Sequence, residues 1–151
     1  MVDLLPIDHD PFVPAEINRT YDVPYLAGVS TNGQTLYIDR RVPEMLEVKR
    51  LGGERGLLDP ARPLGVHELV EWTAMTRHGL GYEDAHESVA TPAERAWVEG
   101  HGFDWGNYEA IMDGLLAHIE HEPIKSPPPD LYTKPYPHHK AEIIKRLEAT
   151  K

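Results

Sequence analysis

Residues 23–39, VPYLAGVSTNGQTLYID, hold two strand-like runs, 23–29 and 35–39, around Ser30-Thr31-Asn32-Gly33-Gln34. Asn-Gly supplies the positive φ values that a tight hairpin turn requires, so the segment predicts a β-hairpin. Upstream, residues 1–20 contain three prolines and no sustained period. That composition predicts an extended arm over residues 1–22. Downstream, residues 45–49 predict a third strand. Residues 51–63, LGGERGLLDPARP, read as a glycine and proline loop that separates sheet from helices.

Helical spacing begins after that loop. Leu64, Val66, Leu69, Val70 and Met75 recur mostly at helical intervals over residues 64–78, with Pro63 near the first turn and Gly79 placed to end it. Residues 83–90 predict a short helix. Thr91-Pro92-Ala93-Glu94 has the form of a capping box, which predicts a new helix from Pro92 to about Gly100. Asp104 is placed to cap a further helix to about Glu120, with Tyr108, Ile111, Met112, Leu115, Leu116 and Ile119 as its apolar stripe. Ser126-Pro127-Pro128-Pro129 and Lys134-Pro135-Tyr136-Pro137 impose extended backbone. Residues 139–149 can then form a terminal helix with Ile143, Ile144 and Leu147 on one side.

The fold these elements predict is α+β, an N-terminal antiparallel β-hairpin or small sheet packed against a cluster of three to five α-helices. The organisation expected is an arm (1–22), a single α+β domain (23–122), and a proline-rich linker with a C-terminal helix (123–151). A length of 151 residues suits one domain with a real core. The opening MVDLLPIDHDPFVP carries acids and prolines where a secretory signal needs a basic end and an apolar run. No apolar run approaches the roughly 18 residues of a membrane span. A soluble, cytoplasmic protein is expected. Twenty-five acids against fifteen bases give a formal charge of -10, which repels phosphate backbones and anionic lipid, so neither nucleic acid nor membrane is an expected partner.

The chain has no cysteine, which removes thiol chemistry and sulfur ligation and leaves His, Asp and Glu as the strong side-chain metal ligands. His67-Glu68-Leu69-Val70-Glu71 lies in the first predicted helix. Residues four apart project from one face, so His67 and Glu71 can share a metal. Glu68, turned about 100° from His67, has the offset of the glutamate that deprotonates water in the HExxH helix. A third ligand is expected from His86, because Gly79 and Gly81 allow residues 83–90 to fold back. Three ligands and an open position suit catalytic zinc, and the oxygen ligand also suits manganese or iron. Glu94 or His101 can substitute, or orient a ligand imidazole from behind.

In order of parts, the TLYID strand, a loop, an HExxE helix and a following ligand-bearing helix, residues 23–99 resemble a minimal zincin-like metallopeptidase. The resemblance implies that His67 matches the first motif histidine and Glu68 the catalytic glutamate. It also implies that the strand lines a peptide substrate. Glu71 stands where the family has its second histidine. A peptide or amide hydrolase is therefore the leading expectation. The other is a non-enzymatic adaptor or assembly protein, with a structural metal or none, that docks a protein partner through the proline-rich C-terminal segment. Trp72, Trp97, Trp105, Tyr82 and Tyr108 read as core. His118, His121, His138 and His139 read as surface, and Arg40 and Arg41 as partners of surface acids.

Overall fold

The computed structural model describes residues 14–120, 122 and 124–133. The expected terminal helix at 139–149 lies outside the described residues, as do residues 1–13 of the expected arm. The described residues divide into two compact units, one carrying 14–42 and those from 114 to 133, the other 43–113.

In the first unit, β1 (Glu16–Asn18), β2 (Ala27–Val29) and β3 (Thr35–Ile38) form a mixed sheet in the order β1-β3-β2. The hairpin is present, with Ala27 opposite Ile38 and Val29 opposite Leu36. Its loop holds Gly33 at φ 74°, while Asn32 stays out of the left-handed region and its Oδ1 accepts the Ser30 hydroxyl and the Gln34 N–H instead. β1 belongs to the segment expected as an arm, and it pairs parallel to β3.

The first expected strand begins later than residue 23. Pro24–Leu26 form a 3-10 turn with Tyr25 at φ 56° and Leu26 at φ 76°. Left-handed backbone at non-glycine residues costs roughly 1–2 kcal/mol each. Burial of Val23 and Leu26 and the bond from Asp39 N–H to the Leu26 carbonyl offset that cost. The stretch expected to be extended bends at Ser126 and turns at Pro129-Asp130, where Leu131 N–H meets the Pro128 carbonyl, and residues 134–137 lie outside the described residues. Tyr132 N–H reaches the Val29 carbonyl at 2.8 Å while Leu131 packs with Val23 and Tyr37.

In the second unit, β4 (Leu46–Lys49) is the expected third strand, but its partner is β5 (Arg55–Leu58) in a separate two-stranded sheet. β5 lies inside the stretch expected to be loop. Leu46 faces Leu58 and Lys49 faces Arg55, and the turn between them places Gly53 at φ 96°. Strand pairing here overrides the weak propensity of a glycine-rich run.

α1 (Ala61–Arg77) starts a turn earlier than expected and is followed by Gly79 at φ 68°. Pro63 sits in its first turn, where no N–H is needed. Residues Asp84–Ala90 form a wide π-type turn that runs directly into α2 (Thr91–Gly100). α2 begins within one residue of the expected start at Pro92, but the expected capping box is absent: Thr91 is itself helical at φ −64°, ψ −45°, and no side chain caps the helix. α3 (Trp105–Ile119) opens as expected, with Asp104 Oδ2 accepting the Asn107 N–H at 2.8 Å. Val66 and Val70 of α1 pack on Ala90 and Ala93, joined by Val89 and Trp97. This apolar contact seats α1 against the π-type turn and α2. The architecture is α+β, and among the described residues no helix is long and apolar enough to cross a membrane.

Candidate metal centre

The helical repeat of α1 sends His67 and Glu71 to one face, and packing against the neighbouring turn and α2 buries both. The same packing brings His86 over from the π-type turn. Such wide turns recur at functional sites. His67 Nε2 lies 3.1 Å from His86 Nδ1 and 3.3 Å from Glu71 Oε2, and His86 Nδ1 lies 2.9 Å from that same oxygen. The rings of His67 and His86 meet edge to face, and Tyr82 stacks on the other ring at 5.2 Å.

His67, Glu71 and His86 together form a group that could hold a metal ion. The fit can be checked on the distances. Zinc held about 2.0–2.1 Å from nitrogen and oxygen ligands places tetrahedral ligand atoms about 3.3–3.4 Å apart. Edges of 3.1, 3.3 and 2.9 Å need a relaxation of a few tenths of an ångström at most two of the three. The three residues expected from sequence are brought together.

Glu94 stands behind His67. Its Oε1 is 2.8 Å from His67 Nδ1, and its Oε2 accepts the Tyr108 hydroxyl at 2.7 Å. Burial opposes charge on His67, but bonds to Glu71 and Glu94 outweigh it and hold the imidazole proton well above the ordinary range. Burial also pushes Glu71 up, yet His67 and His86 prevail and keep its carboxyl below the usual value. Glu68 is half-buried. Burial first and the Glu71 charge second push its carboxyl well above the usual range, with His67 pulling against them. Burial and the Glu94 charge likewise push the Tyr108 phenol up.

His101, expected as another possible ligand or support, is exposed, with its ring stacked on Trp97 at 3.8 Å and its Nδ1 at the Trp97 carbonyl. His118 is exposed as expected, and His121, His138 and His139 lie outside the described residues. Arg40 and Arg41 do pair with acids, but the acids are interior ones. Arg40 binds Asp22 and Arg41 binds Asp39, both fully buried. Tyr82 and Tyr108 are buried as expected, while their contacts with His86 and Glu94 had no signal in the sequence beyond aromatic residues near helix starts. Compared with protein-family models, with curated proteins and with solved structures, the chain finds no match.

Proposed function

We propose that the chain is a metal-dependent hydrolase of zincin-like type, with zinc held by His67, Glu71 and His86, Glu68 as general base, and a peptide or amide bond as substrate. The observation that carries this reading is the convergence of His67 Nε2, Glu71 Oε2 and His86 Nδ1 within 3.3 Å of one another. Protons satisfy such a triangle poorly, because each of the three pairs needs its own hydrogen. One divalent cation satisfies all three atoms together. The two nitrogens and one oxygen are a donor set that catalytic zinc takes while keeping a position open.

When bound, the cation supplies Lewis acidity and positive charge, which polarise a carbonyl, make water more acidic and favour ionised Glu68. Glu68 follows His67 directly and lies within electrostatic reach of His67, Glu71 and Glu94. In the reaction, Glu68 takes a proton from water as the water oxygen bonds to the carbonyl carbon. The carbon–nitrogen bond then breaks, and Glu68 returns the proton to the leaving nitrogen, giving an acid and an amine. His67, Glu71 and His86 fix the position; burial of His67 and Glu71 limits competing solvent, while the half-exposed His86 leaves the site open on its side.

Glu68→Gln tests the assignment. The variant should keep the zinc content of the parent and lose at least about 100-fold in kcat on a fluorogenic peptide library. Equal turnover by the variant refutes Glu68 as base, and a zinc-loaded parent that cleaves no peptide or amide refutes the hydrolase reading.

A further inference from the structure

Glu94 is a buried carboxylate, 8% exposed, and among the described residues no lysine or arginine pairs with it. Removing a carboxylate from water costs several kcal/mol unless other groups compensate. The local sequence offers an exposed alternative: as the fourth residue of Thr91-Pro92-Ala93-Glu94 it could cap a helix from the surface. Instead the backbone of the π-type turn runs on through a helical Thr91 into α2, and the side chain points inward to two partners, with one oxygen on His67 Nδ1 and the other on the Tyr108 hydroxyl. Tyr108 is 1% exposed, so its hydroxyl has no route to bulk water and stays on Glu94.

We infer that Glu94, held in place by Tyr108, is a positioning residue that keeps the Nδ1 proton on His67 and so presents the Nε2 lone pair to the metal. The inference rests on the metal-centre reading above. An imidazole has two nitrogens, and the hydrogen bond at one decides which form the other takes. A carboxylate at Nδ1 makes that nitrogen the donor, orients the ring and raises its basicity as a ligand. Tyr108 acts one step further out. It fixes the carboxylate rotamer, so that Oε1 rather than empty space meets His67.

The test compares zinc affinity of the full chain and four variants by competition with a chromophoric chelator, alongside the visible spectrum of the cobalt(II) forms. Circular dichroism and urea unfolding check that each is folded. Glu94→Gln should weaken zinc binding about 10–100-fold and change the cobalt spectrum, since outer partners of a ligand histidine carry that much affinity. Glu94→Asp, which keeps the charge, should recover part of the loss. Tyr108→Phe keeps the aromatic body and should shift affinity in the same direction by a smaller factor. Val98→Ala removes a fully buried side chain from the same helix, so it should lower stability without changing zinc affinity or spectrum. Unchanged affinity and spectrum in both Glu94→Gln and Tyr108→Phe overturn the inference while leaving the metal centre standing. A parent that takes up no zinc overturns both.

Discussion

Replacing Asp39 by alanine should cost about 3–4 kcal/mol of folding stability. The carboxylate is fully buried and accepts four hydrogen bonds. Oδ1 takes the Arg41 N–H at 2.9 Å and Nε at 2.8 Å, while Oδ2 takes Arg41 Nη2 and the Val23 N–H, each at 2.8 Å. Alanine leaves two backbone donors without this acceptor, at about 1–3 kcal/mol each, and removes the partner of a guanidinium. Breaking a buried ion pair costs roughly 3–5 kcal/mol. These contributions overlap, and the Arg41 side chain is 18% exposed, so water relieves part of the loss and the lower half of the range applies. Urea unfolding followed by tryptophan fluorescence reads the change. Arg41→Ala should cost less, and the double variant less than the sum, because the two residues share one interaction. A loss under about 1 kcal/mol for Asp39→Ala would refute the reasoning. The same geometry occupies the Arg41 guanidinium with Asp39, so its substitution should register as stability and not as substrate binding.

Asp22 gives an acid signature. Burial pushes its carboxyl up, but the Lys125 N–H and the Arg40 and Arg41 charges prevail and hold it below the ordinary 3.8. A carboxyl depressed on folding stabilises above its unfolded value and loses that contribution as pH falls through the folded one. Stability should therefore decline as pH drops below about 4, and Asp22→Asn should flatten that decline; an unchanged pH profile contradicts the assignment. Gly53, at φ 96° with open space around its Cα, should tolerate no L side chain without strain. Gly53→Ala should lose roughly 1 kcal/mol in urea unfolding, and a neutral result would mean the turn can relax. Zinc at about 100 times its Kd should stabilise the chain by about 2.7 kcal/mol, read as an upward Tm shift of roughly 5–10 °C in calorimetry. No shift would mean that the folded chain does not bind zinc preferentially.

The hairpin and α1 were legible because their signals are local. Asn32-Gly33 marks a turn, and Leu69 and Val70 recur with Val66 on one helical side. β5 was not legible, since Arg55-Gly56-Leu57-Leu58 has little strand character apart from its pairing with β4. The turn at Tyr25 and Leu26 depends on Asp39, well downstream, and so carries no local mark. Thr91 to Glu94 marked the start of α2 to within a residue, but the capping bonds do not form, because the backbone is already helical at Thr91 and Glu94 turns inward to His67 and Tyr108. His67, Glu71 and His86 could be chosen from helix spacing and a flexible connection through Gly79. The support from Glu94 and Tyr108 required knowing which helices touch. Burial of Asp22 was equally invisible, because its backbone donors Lys125 and Ser126 come from the far end of the chain.

The most direct test of the metal centre is elemental analysis of the purified, untagged protein beside a His67→Ala and Glu71→Ala double variant. The account predicts about one zinc per chain in the parent and none in the double variant. A parent that stays metal-free after reconstitution with zinc would contradict it and leave the partner-docking expectation in its place.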